Sequence, residues 1–159
     1  MSTTKQLENW AEKNISNFLG VYSSDTLPNP LEIKPPASLI VNYDPHNMPG
    51  SHWVACTINL DTVEWFDSFG LQPDADDLIL GHKTNFRKFL STVCHKLGIK
   101  EYSWNTADLQ SLDAQTCGHY SLWFCKNGSW DQFGPDRKKN DKIILQLVQL
   151  NYFNKESIG

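Results

Sequence analysis

From Thr3 onward apolar residues return every three or four positions, and Leu7, Trp10, Ala11, Ile15, Phe18 and Leu19 share one helical stripe. Thr3 and Gln6 have the spacing of a capping box at its start and Gly20 reads as its end, so the pattern predicts an amphipathic helix reaching Leu19. The period breaks over residues 24–36, where Pro28, Pro30, Pro35 and Pro36 mark an irregular surface connection. Extended segments follow at 38–43, 53–59 and 63–67, the last two joined through Leu60, Asp61 and Thr62 as a tight hairpin. Helical period returns over 84–97, with Phe86, Phe89, Leu90, Val93 and Leu97 as its buried face and Gly98 at the stop position. A short strand is expected at 100–104. Residues 117–126 are apolar on most sides, reading as a buried helix that opens on Cys117. Ile143, Ile144, Leu147 and Val148 predict a last amphipathic helix over 141–150.

The 159 residues fit a single domain, 1–159, and 40% hydrophobic with 12% aromatic residues are enough for one continuous core. With a formal charge of -4 and a sequence pI near 5.7, the chain shows no basic footprint for nucleic acid. Its one basic run, Arg137-Lys138-Lys139, reads as a solvated loop. No cleavable signal and no apolar stretch of roughly 18 residues is present, which predicts a soluble intracellular protein that does not engage a membrane. Cys56, Cys94, Cys117 and Cys125 include no Cys-x-x-Cys pair, and the histidines supply no zinc spacing, so free thiols without a metal or other cofactor are expected.

Cysteine attacks as the thiolate, which a helix amino terminus and a neighbouring imidazolium both favour. Cys117 stands at a predicted helix start, with Gly118 small enough to let a substrate carbonyl approach the backbone and Gln115-Thr116 as a polar turn before it. Cys56, Cys94 and Cys125, inside a strand or helices, read as structural thiols. Among His46, His52, His82, His95 and His119, only His52 sits at a loop-to-strand junction. Asp67 ends the neighbouring strand fifteen positions on. If the two strands pair, the carboxylate can orient the imidazole by bonding the ring nitrogen turned away from the thiol. An oxyanion needs donors. The Cys117 N–H is one, and Gln110 and Gln115 both qualify chemically as a second.

Four segments in order, Phe18-Leu19-Gly20-Val21-Tyr22, Gly50-Ser51-His52-Trp53-Val54-Ala55, Trp65-Phe66-Asp67-Ser68-Phe69-Gly70 and the run from Gln110 to Gly118, resemble the adenovirus-type maturation protease family. That adenain-like family belongs with the ubiquitin-like-protein-specific cysteine proteases. The resemblance implies Cys117 as nucleophile, His52 as general base, Asp67 as its partner and Gln110 as the oxyanion side chain, with Ser51, Trp53 and Gly118 shaping the substrate site. It also implies an α+β, papain-like or adenain-like fold, with the nucleophile on a central helix packed against a mixed sheet and flanked by further helices, in agreement with the elements read above.

The function so implied is a monomeric cysteine endopeptidase that cleaves viral capsid precursors at glycine or other small residues during virion maturation. Its place would be the host cytoplasm or viral factory, and then the virion. An activating peptide is a further partner that the resemblance implies. No cysteine stands where the family's peptide would be disulfide-linked, since Cys94 lies too far before Gln110, and the acidic balance predicts no tight DNA binding. The chain is shorter than the adenovirus enzymes at its carboxyl end, consistent with the reduced versions expected of virophages or other small DNA viruses. Two other readings use the same residues: a protease that removes ubiquitin-like modifiers, and an inactive binding scaffold that retains the fold.

Overall fold

The central strand has no polar face, because Trp, Val, Ala, Cys, Thr and Ile follow one another at residues 53–58 and all six are buried. A strand tolerates this only where both sides of its sheet are covered. The computed structural model, which describes residues 1–75 and 77–150, shows that covering. Its elements are α1 (Thr4–Asn14), β1 (Phe18–Tyr22), β2 (Ala37–Asn42), β3 (Trp53–Ile58), β4 (Val63–Phe66), α2 (Asp77–Leu80), α3 (Phe86–Leu97), β5 (Ser103–Trp104), α4 (Cys117–Asn127) and α5 (Arg137–Leu147).

The strands form one mixed sheet in the order β1-β2-β3-β4-β5, with β1–β2 and β4–β5 parallel and the two central pairings antiparallel. Alternation along the strands divides the core between its two faces. Leu39, Val41, Val54, Cys56, Val63 and Trp65 meet Phe86, Phe89, Leu90 and Val93 of α3. On the opposite face, Ile40, Trp53, Ala55 and Phe66 meet Leu7 and Ala11 of α1, Tyr120, Leu122 and Phe124 of α4, and Ile144 of α5. Each fully buried large side chain contributes roughly 1.5–3 kcal/mol, so the position of α4 is fixed from three sides. The class is α+β, with the Cys117 helix packed on a mixed sheet.

Two expectations from periodicity are corrected. The first helix does not reach Leu19. Its capping box forms, with Thr3 N–H on Gln6 Oε1 at 2.9 Å and Gln6 N–H on Thr3 Oγ1 at 3.1 Å. It ends at Asn14, however, whose side chain donates to the Trp10 carbonyl, and Phe18 then opens β1 beside Ser38. Ile15, Phe18 and Val21 all pack on the α4 side of the core, so their apolar character is the same in a helix or a strand. The last helix begins earlier than residue 141. The Asp136 side chain accepts the Lys139 N–H and starts α5 at Arg137. Arg137-Lys138-Lys139 is therefore its first turn rather than a loop, with Arg137 paired to Asp108 at 2.9 Å. Helix α5 closes at Leu147, and Val148 and Leu150 stay buried beyond it.

Candidate active site

Antiparallel register sets Ala55 opposite Phe66, so the residue before Trp53 and the residue after Phe66 meet at one end of the sheet. There His52 Nε2 lies 2.8 Å from Asp67 Oδ1. The Phe69 N–H donates to the same oxygen at 2.9 Å, and the Tyr43 hydroxyl donates to Oδ2. A carboxylate surrounded by donors accepts, so Nε2 carries the hydrogen and Nδ1 is the nitrogen left for the thiol. The Trp53 N–H points at Cys117 Sγ from 3.5 Å, and the thiol and the imidazole are close enough that each shifts the other's ionisation. The imidazole is clamped between the Tyr43 ring, edge-on at 5.0 Å, and the Phe69 ring, stacked at 5.0 Å. Asn105 grips the Asp67 backbone from both sides, accepting its N–H at 2.9 Å and donating to its carbonyl at 2.6 Å.

The three side chains are almost withdrawn from solvent, with Cys117 4% exposed, His52 8% and Asp67 0%. Burial works against the His52 cation, yet the charge and hydrogen bond of Asp67, joined by Cys117, raise the imidazole pKa from 6.5 to about 10. Burial likewise opposes the Cys117 thiolate. The hydrogen bond and charge of His52, with the N–H groups of Trp53 and Gly118, outweigh it and hold the thiol below its ordinary value. Both shifts favour one species, a thiolate beside an imidazolium. The other cysteines behave oppositely: burial pushes Cys56, Cys94 and Cys125 up, Cys125 to about 12. His119, on the same helix as Cys117, is held neutral by burial and then by the amino-terminal ammonium, its pKa lowered to about 4.

Gln110 is 2% exposed. Its Oε1 accepts the Ser68 hydroxyl at 2.5 Å and one hydrogen of Nε2 goes to the Ala114 carbonyl at 2.8 Å, so the amide has a second hydrogen to donate. Gln115 is placed otherwise, its Oε1 accepting from the backbone nitrogen of Met1. Ser51 is exposed, its N–H held by Asn42 Oδ1 at 3.1 Å. Trp53 contributes its N–H to the thiol, while its indole packs in the core and donates to the Ser2 carbonyl at 2.9 Å. Gly118 proves to be a packing position: an added Cβ would stand 3.0 Å from Leu7 Cδ2 and 3.3 Å from the Ser2 side chain.

Tyr43, Ser68, Asn105 and Asp141 are the site's supporting residues that sequence reasoning missed. Ser68 lies within the segment 65–70 already singled out, and Tyr43 ends the expected strand 38–43. Asn105 and Asp141 act across 38 and 21–30 positions of chain, a separation at which no local pattern links them to the site.

The sequence matches no protein-family model and no curated protein. Among solved structures, the ASFV pS273R protease aligns with 95% of this chain and 69% of its own, at 16% identity and a TM-score of 0.47.

Proposed function

We propose that this chain is a cysteine endopeptidase with Cys117 as nucleophile, His52 as base and then acid, Asp67 as the orienting carboxylate and Gln110 as an oxyanion donor. The observation that carries the reading is the 2.8 Å pairing of His52 with the buried Asp67 at the end of the sheet where the Trp53 N–H meets the Cys117 thiol at the start of α4. In this reading the Cys117 thiolate attacks the scissile carbonyl, and the carbonyl electrons move onto oxygen. The Cys117 N–H and the Gln110 amide meet that oxygen. His52 delivers its Nδ1 proton to the leaving amine, and water activated by the neutral imidazole then releases the acyl-enzyme.

The four ordered segments that resemble adenovirus-type proteases support the finer part of the proposal: capsid-precursor substrates cut at glycine or small residues, in the infected cell and the assembling virion. Incubation of candidate structural precursors with wild type and with Cys117→Ala, followed by mass-spectrometric mapping of new amino termini, tests it. Wild type alone is expected to generate termini that follow small residues. Identical fragment patterns from both proteins would sink the proposal.

A further inference from the structure

The carboxylate of Asp141 stands outside the Cys117–His52–Asp67 line, yet four donors converge on it in a nearly buried position. Its Oδ2 accepts the Ser111 N–H at 3.3 Å and the Ser111 hydroxyl at 2.5 Å. Its Oδ1 accepts the Thr116 hydroxyl at 3.1 Å and the Tyr120 phenol at 2.8 Å. Ser111 and Thr116 are the two ends of the loop between Gln110 and Cys117, and Tyr120 lies in the first turn of the nucleophile helix. One carboxylate from α5 thus ties both ends of the loop to the helix that carries the thiol.

The same contact changes the helix cap. Thr116 occupies the cap position of α4, where a threonine hydroxyl ordinarily accepts an N–H two or three residues ahead. No such bond forms: the Thr116 backbone, at φ -104° and ψ 7°, is not in the extended conformation of a capping residue, and the hydroxyl donates to Asp141 instead. The helix end is therefore not closed by its own side chain, and its dipole remains available to a developing anion.

Resting on the cysteine-peptidase reading, we infer that Asp141 is a positioning residue of the oxyanion hole. It holds loop 111–116 in register with Gln110 and diverts Thr116, so that the first N–H groups of α4 receive the oxygen of the tetrahedral adduct.

Two reagents separate this role from general damage. Iodoacetamide is attacked by Sγ at a saturated carbon, with iodide leaving, so no oxyanion forms. A peptide aldehyde such as acetyl-diglycinal forms an Sγ–C bond while the carbonyl electron pair moves onto oxygen, which then takes the His52 proton to give a hemithioacetal. In Asp141→Ala, Cys117 alkylation is expected to stay within about twofold of wild type while aldehyde inhibition weakens at least about tenfold, toward the 100- to 1,000-fold typical of one lost donor. Adding Thr116→Val, which removes the hydroxyl free to cap the helix, restores part of the loss. Asp141→Asn, which preserves volume but turns an amide donor toward donors, shows the same split should the alanine variant fail to fold. Unchanged aldehyde inhibition, or a parallel fall in both reactions, overturns the assignment. A wild type showing neither selective Cys117 alkylation nor aldehyde capture removes the peptidase reading, and the Asp141 role with it.

Discussion

Ser68 donates its hydroxyl to Gln110 Oε1 at 2.5 Å, while the Ser68 carbonyl accepts the N–H groups of Leu109 at 2.8 Å and Gln110 at 3.2 Å. Asp67 orients the imidazole and the next residue orients the amide, so a single turn after β4 supports both halves of the site. Because Oε1 is held by a donor, the amide is fixed with Nε2 as its donating end. Ser68→Ala is therefore expected to lower peptide turnover by about tenfold or more, short of the 100- to 1,000-fold for complete loss of a donor. The Cys117 alkylation rate should be unchanged in the same protein. A parallel fall in alkylation would place Ser68 in the His52 half instead.

Asp67→Asn keeps the volume but replaces one acceptor oxygen by a donor, in a position where Tyr43, His52 and Phe69 all donate. The imidazole loses the charge that holds its proton, and the thiol pKa climbs back toward its ordinary range. Turnover is expected to drop on the order of 1,000- to 10,000-fold, as when the orienting carboxylate of other triads is neutralised. Titration of the His52 ring protons by NMR would reveal the change, and an unaltered high His52 pKa would refute it.

The pH dependence follows from the two opposed shifts. The thiolate–imidazolium pair exists above the Cys117 pKa, which lies below 9.0, and below that of His52, near 10. Activity should rise through an acid limb set by Cys117 and fall through an alkaline limb near pH 10. Stability carries the same sign: because folding raises the His52 pKa from 6.5 to about 10, its contribution is complete below pH 6.5 and is lost as pH climbs through about 10. Denaturation midpoints measured across this range should decline on the alkaline side. In His52→Ala that component of the decline should vanish.

Gly70 gives the Phe-Gly pair of the acid turn a physical reason. Its φ is +72°, and an added Cβ would lie 2.7 Å from the Thr106 carbonyl oxygen and 2.9 Å from that of Ala107. Those oxygens belong to backbone, which cannot swing aside as a flexible side chain can. Gly70→Ala is expected to cost about 1–3 kcal/mol in strain and displacement, with activity falling further because Asn105, which grips Asp67, lies beside the displaced segment. Thermal unfolding together with turnover checks both, and a variant of wild-type stability would contradict the account.

The parts of the site legible in the sequence are those joined by short chain paths. A hairpin whose loop is only residues 59–62 forces His52 and Asp67 to one end of the sheet, so alternation alone is enough to pair them. Cys117 is legible as a helix start. Gln110 and Gln115 are chemically alike, and what separates them, Ser68 on one and Met1 on the other, is tertiary. Strand β1 is hidden for a related reason: Phe18 and Val21 face the same core that α1 covers, and the parallel partner that makes them a strand is twenty positions away. Asn105 and Asp141 look like ordinary polar residues until the fold buries them against backbone and hydroxyl groups.

Every step of the proposed chemistry depends on a Cys117 thiol activated by His52. Limiting iodoacetamide at about pH 6, where ordinary thiols are overwhelmingly protonated, followed by mass-spectrometric mapping, tests it without a known substrate. Cys117 is expected to be labelled well ahead of Cys56, Cys94 and Cys125, and this lead is expected to collapse in His52→Ala. Labelling of Cys117 no faster than an ordinary thiol, or a lead that survives the loss of His52, would contradict it.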